Sequence, residues 1–322
     1  MDDQPPNLTV VTGEEGSPGP PRQPRQKKSH AVPVVVGILF GAAAIVAAVL
    51  FVARNDKQST PPVPVPPPAT TAPPPQEVLR IVFPEGFTRA EMAERIVAVD
   101  KIAEDKRDVK PALSAEDYLR ATKRSKLKDS VPRLPPAFAA DAEVKGFEGF
   151  LFPATYEFTE ATTSPELVDM QLDAFSKAWS EIDLEYATKK SLTAYDVLIV
   201  ASMIEGEVRV PKERALVSAV IYNRLKGRMP LGIDATLRYG LNIPPTRAIR
   251  QSELESPTPY NTRIHPGLPP TPIGNPGLAA MQAAAHPAEV DYLYFVRKKD
   301  CKSHFFTASE KEFLKALEKP RC

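Results

Sequence analysis

Residues 193–225 read TAYDVLIVASMIEGEVRVPKERALVSAVIYNRL. Thr193 followed by Asp196 opens a helix, with a hydroxyl and a carboxylate where an N-cap and its reciprocal partner stand. From Val197 to Ile204 almost every residue is apolar or small, not only every third or fourth. A helix of that kind is stable only when all its faces are covered, so it is predicted to run through the interior. It ends at Glu205, Gly206 and Glu207. Pro211 suits the first turn of a following helix, which runs to about Leu225 and stops at Gly227.

Glu205 is the most informative residue of the stretch. A carboxylate at the end of a near-continuous apolar helix is partly desolvated, and the negative end of the helix dipole lies close by. Both effects favour the protonated form and suit a general acid at neutral pH. A plainer reading stands beside it, in which Glu205 merely finishes the helix in water. Glu207 is two positions on, about 200° around a regular helix, so the two acids do not share a face unless Gly206 breaks the geometry.

Moving towards the C-terminus, Asn223–Arg224, Asp234 with Thr236, and Tyr260–Asn261–Thr262 offer amide, hydroxyl and aromatic groups of the kind that grip sugars. Each equally suits a cap, a turn or a surface group. Residues 256–277 form a long Pro/Gly loop, SPTPYNTRIHPGLPPTPIGNPG, and rigid prolines reduce the entropy lost in presenting a binding face. Asn275–Pro276 starts a short Ala-rich helix. Tyr292–Val296 (YLYFV) reads as a buried strand and Glu310–Glu318 as a closing helix. The fold class is α+β.

Towards the N-terminus, EVLRIVF (77–83) alternates like a strand, and Pro84–Glu85–Gly86 is a turn. Thr88 caps a helix with Glu91 at the capping-box position, and Ser114 caps a second. Residues 77–145 thus form a small α/β module, read either as a plain subdomain or as a glycan-binding unit of the LysM type. The main domain covers 146–322. Residues 54–76 contain PPVPVPPPATTAPPP, an extended spacer. Residues 31–53, AVPVVVGILFGAAAIVAAVLFVA, carry no charge and match the length of a transmembrane helix. Arg22, Arg25, Lys27 and Lys28 before it, against Arg54 and Lys57 with Asp56 after it, orient the N-terminus to the cytoplasm. A cleaved signal peptide is the alternative. Residues 1–30, rich in Pro, Gly, Gln and charge, are expected to be a disordered tail.

The chain has 322 residues and a formal net charge of +1, with acids and bases interspersed, which gives no reason to expect nucleic acid as a partner. His265, His286 and His304 lack metal-ligand spacing, and no nucleotide or nucleophile-elbow motif occurs, so neither metal nor cofactor is expected. The two cysteines, Cys301 and Cys322, are candidates for a disulfide in an oxidising space.

Taken together, these residues resemble the endolytic murein transglycosylase (MltG, YceG-like) family. The matching stretches are EGFLFPATYEF (148–158), ASMIEGE (201–207), ERALVSAVIYNRL (213–225), GIDATLRYG (232–240), YNT (260–262), GLPP (267–270), NPG (275–277), residues 284–296 and HFFT (304–307). They are collinear and span most of residues 146–310. The resemblance implies a mixed α/β catalytic domain after an anchor and a small module. It places the catalytic acid at Glu205, where one carboxyl group protonates the glycosidic oxygen and then deprotonates the muramyl 6-hydroxyl. Glu207, Asn223, Arg224, Asp234, Thr236, Tyr260, Asn261 and Thr262 are then expected to line or position the substrate. Peptidoglycan glycan strands are the implied substrate. The implied address is the bacterial cytoplasmic membrane, with the catalytic domain outside and wall synthases or division proteins as candidate partners. Two other functions stay open: a non-catalytic peptidoglycan-binding or division scaffold, and a hydrolytic muramidase needing a second carboxylate, such as Glu207 or Asp234, facing Glu205.

Overall fold

A computed structural model describes residues 77–123, 133–139 and 144–319. The expected tail, transmembrane segment (31–53) and proline spacer lie outside the described residues, as does Cys322, the expected partner of Cys301. No helix among the described residues is long and apolar enough to cross a membrane.

The chain opens with strand β1 (Leu79–Val82), which buries Leu79 and Ile81 and exposes Arg80 and Val82. This is the period-2 pattern of a strand with one covered face. Helix α1 (Arg89–Arg107) starts at Thr88, whose side chain accepts from the Glu91 amide while the Glu91 carboxylate accepts from the Thr88 amide. α1 buries Met92, Ala93, Ile96 and Ala103. Helix α2 (Ala115–Ala121), capped by Ser114, follows, and then a short helix α3 (Pro136–Ala139).

Strand β2 (Thr155–Phe158) pairs antiparallel with β1, with Leu79 opposite Phe158 and Val82 opposite Thr155. The strand that opens the small N-terminal segment therefore finds its partner beyond residue 145, and one continuous core takes in both sides of that position. Tyr118 on α2, completely buried, donates to Gln171 at 2.8 Å on α4 (Ser164–Trp179) and ties the same two parts together.

After α5 (Glu185–Lys189) comes the helix that dominates the interior, α6 (Ala194–Glu207). Its capping box is Thr193 with Asp196, and every residue from Val197 to Glu205 is buried. A single-turn 3-10 helix at Pro211–Glu213 leads into α7 (Arg214–Lys226), then α8 (Asp234–Leu241) and α9 (Gln251–Leu254). Helix α10 (Leu278–Ala285, sequence LAAMQAAA) packs on both α6 and α7. Its small side chains let the backbones approach closely, which is how α6 can be covered without leaving voids.

The chain closes with a hairpin of β3 (Tyr294–Arg297) and β4 (His304–Thr307), and with α11 (Glu310–Leu317) against it. β3, expected to be buried, is half-buried at all four positions. Its sheet has only two strands, so a large part of each remains open to solvent.

Candidate active site

Glu205 sits in the last turn of α6 and is 8% exposed. One carboxylate oxygen accepts from the backbone amide of Gly277, the residue that precedes α10, at 3.2 Å. The covering wall is made of glycine. A Cβ built on Gly86, in the turn after β1, would lie 3.4 Å from the Glu205 Cγ, and Gly86 itself has φ +82°, a conformation that suits glycine. Burial holds the Glu205 carboxyl above the usual carboxylate range. The Gly277 amide pulls it back, the negative charge of Glu85 raises it further, and Arg214 and Arg209 lower it. The net direction is upward, as a proton donor at neutral pH requires.

What fixes this cradle is Asn275, completely buried. Its Oδ1 accepts from the amides of Gly149 and Leu151, both at 2.9 Å. Its Nδ2 donates to the Phe87 carbonyl at 2.8 Å and to Glu148 Oε1 at 2.9 Å. Its backbone extends the join: Gly86 donates to the Asn275 carbonyl at 2.8 Å, and Asn275 donates to the Phe87 carbonyl at 3.0 Å. A Cβ on Gly274 would lie 2.6 Å from the Gly86 carbonyl oxygen, so only glycine allows the two loops to come this close. Beneath them, the Ile273 amide donates to Ser202 Oγ on α6 at 3.0 Å.

Glu148 completes the base of the cradle. It accepts from the Arg89 amide at 3.0 Å and from the Tyr239 hydroxyl at 3.2 Å, in addition to Asn275. Burial pushes its carboxyl up to about 7, against the lowering effect of those donors. Glu85, Glu148 and Asn275 were not picked out as functional positions from the sequence. Glu85 reads as one letter of a turn, and the other two lie in the quoted EGFLF and NPG stretches with nothing local to mark their pairing.

Glu207 points the other way. Gly206 does not break α6, because the helix continues through Glu207 and the two acids diverge as a regular helix requires. The glycine serves packing instead: a Cβ there would meet Ala235 Cβ at 3.0 Å, where α8 crosses. The Glu207 carboxylate accepts from the Ala235 amide at 3.3 Å and faces Arg297 at 3.7 Å, and burial raises its pKa in spite of both. It lies in a cleft of about 980 Å3 whose lining includes Arg209, Arg224, Asp234, Arg263, Arg297 and His304. Asp234 there is paired with Arg263. The largest charge effects on Glu205 come instead from Glu85, Arg214 and Arg209.

The remaining sequence candidates hold loops in place. Asn223 donates to the carbonyls of Val290 and Tyr292 at 2.9 and 3.0 Å. Arg224 donates to Leu293, Pro230 and Leu231 carbonyls and stacks its guanidinium over the Tyr294 ring. Thr236 and Thr262, both buried, join hydroxyl to hydroxyl at 3.0 Å, and Thr262 accepts from the Ile233 amide. Asn261, completely buried, donates to Leu254 and Ser256 carbonyls, and the Tyr260 hydroxyl meets Thr271 at 2.8 Å. The bonds of Tyr260, Asn261 and Thr262 pin residues 256–277, the loop whose end carries Gly277 to Glu205.

The YceG-like family model matches residues 70–319. An endolytic murein transglycosylase of Bacillus subtilis is 38% identical over 172 residues, 53% of this chain and 47% of that protein. One of Streptococcus pneumoniae is 31% identical over 230 residues, 67% of this chain and 40% of that protein. The chain therefore spans less than half the length of these relatives. The crystal structure of a YceG-like protein from Listeria monocytogenes superposes with a TM-score of 0.62 at 29% identity, covering 73% of this chain and 75% of the other. With a family match reaching across the whole described region, and a solved relative sharing its mixed α/β architecture, this chain belongs to the YceG-like family.

Proposed function

We propose that the protein is an endolytic murein transglycosylase with Glu205 as its acid and base. The observation that carries the reading is the buried Glu205 carboxyl, held against the Gly277 amide in a raised-pKa environment at the end of α6, in a family whose relatives bear that name. Glu205 donates its proton to the glycosidic oxygen between N-acetylmuramic acid and N-acetylglucosamine, and the C1–O bond breaks. The resulting carboxylate takes the proton of the muramyl 6-hydroxyl as its oxygen bonds to C1, which leaves a 1,6-anhydro end and consumes no water. One carboxyl group suffices because the nucleophile is already part of the substrate and the two proton transfers are successive.

We assign residues 31–53 to a membrane span with the N-terminus in the cytoplasm, residues 54–76 to a spacer, 77–145 to a LysM-like glycan contact and 146–322 to the chemistry. That arrangement keeps Glu205 on the outer face of the cytoplasmic membrane, where new strands emerge beside wall synthases and division proteins. Cutting there sets strand length. Protease accessibility of the tail and of the 146–322 region in intact and permeabilised cells tests the orientation.

The chemistry is tested with the full chain purified in detergent, by digesting polymeric glycan and reading product ends by mass. Anhydro ends are expected, and Glu205→Gln is expected to lower their rate by at least about 100-fold, the usual contribution of general acid–base catalysis. Reducing ends would instead identify a hydrolytic muramidase. Binding without cleavage by the folded wild type would identify a scaffold.

A further inference from the structure

Two carboxylates converge on the Gly277 peptide. Glu205 reaches it from α6 and accepts from its amide at 3.2 Å. Glu85 reaches it from the turn between β1 and α1, and lies so close that a Cβ on Gly277 would fall 1.8 Å from Glu85 Oε1 and 2.2 Å from its Cδ. A side chain at residue 277 would therefore displace the Glu85 carboxylate from the backbone that binds Glu205. Their surroundings are opposite, for Glu205 is buried and Glu85 is exposed. When two acids approach in unlike environments, the solvated one keeps its charge and the desolvated one takes the proton.

We infer that Glu85 is a positioning residue of this site: its carboxylate, resting on Gly277 beside Glu205, opposes negative charge on Glu205 and so favours the proton needed to start the reaction. The inference rests on the reading of Glu205 as the acid. Arg214 at the start of α7 and Arg209 in the segment before it act on Glu205 in the opposite sense, favouring the ionised form. Glu85 opposes them. Removing its charge leaves the two arginines unanswered, so Glu205 loses its proton at lower pH.

The test compares initial rates of anhydro-end formation across pH for the full-length wild type, Glu85→Gln and Glu85→Asp. In Glu85→Gln the alkaline limb is expected to move to lower pH, with a several-fold loss of rate on that limb and an unchanged rate at the acid end. Glu85→Asp, which retains the charge, is expected to keep the limb near its wild-type position. A limb that does not move, or a rate that falls by one common factor at every pH, would overturn the role of Glu85. A second readout is independent of turnover: the Glu205 carboxyl, identified by carbon-13 NMR through its absence in Glu205→Gln, is expected to titrate at lower pH in Glu85→Gln. Wild type without anhydro ends would refute the proposed function, whereas active wild type, inactive Glu205→Gln and an unmoved titration would refute only the inference about Glu85.

Discussion

A carboxyl that titrates near neutrality inside a folded protein leaves a signature on stability, and Glu148 is such a residue. Its pKa is raised from the model-compound 4.5 to about 7 by burial. The folded state therefore holds a proton that the unfolded state releases, and the penalty is absent below about pH 4.5, grows as pH rises and is complete above about pH 7. Its size is on the order of 3 kcal/mol. Glu148→Gln keeps an oxygen for Arg89 and Asn275, so it is expected to fold and to lose stability less steeply than wild type between pH 5 and 8. Thermal midpoints of both proteins across that range would show it, and parallel curves would remove Glu148 as a titrating group. At this scale the sequence is legible where one stretch holds all the information. Glu205 announces itself because eight apolar or small neighbours precede it. Glu85 and Glu148 do not, since what makes each special is a partner far along the chain.

At the scale of elements, the caps are what can be read. Thr88, Ser114 and Thr193 start helices where the pattern of hydroxyls and acids says they should, because a cap is a contact within one turn. The join between the Gly86 turn and the NPG segment is a different kind of object, since its hydrogen bonds link residues 188 positions apart. Nothing local predicts it. Asn275→Ala removes the acceptor of two buried amides, Gly149 and Leu151, together with two donated bonds. Leaving two buried donors unsatisfied costs about 2–6 kcal/mol. Chemical denaturation is expected to report a loss in that range, and a loss below about 1 kcal/mol would show that water replaces the side chain. The same reasoning explains why so many of the polar residues picked for sugar contact hold loops: an Asn or Thr looks identical in sequence whether it faces a ligand or a carbonyl.

For the whole molecule, the pairing of β1 with β2 matters more than any single element. A boundary near residue 145 is expected from the sequence, but strand partners do not appear in composition. β2 takes its pairing from β1, and Ile81, Phe83, Met92 and Ile96 are part of the one continuous core. A fragment of residues 146–319 alone would expose that core and an unpaired strand edge. It is expected to aggregate or to remain without fixed side-chain packing, as seen by near-ultraviolet circular dichroism and dye binding. A fragment with a sharp cooperative melt would show that residues 77–145 are dispensable for folding.

The glycine-lined cradle also has a consequence for timing. Its acid comes from the middle of the chain, one wall from near residue 86 and the other from near residue 277, so the carboxyl is an ordinary solvated one until both distant segments have met around it. A nascent or partly unfolded chain would carry Glu205 as a plain surface acid, ionised at neutral pH. The proton-favouring surroundings of Glu205 thus exist only in the completed fold, not in the chain as it is made.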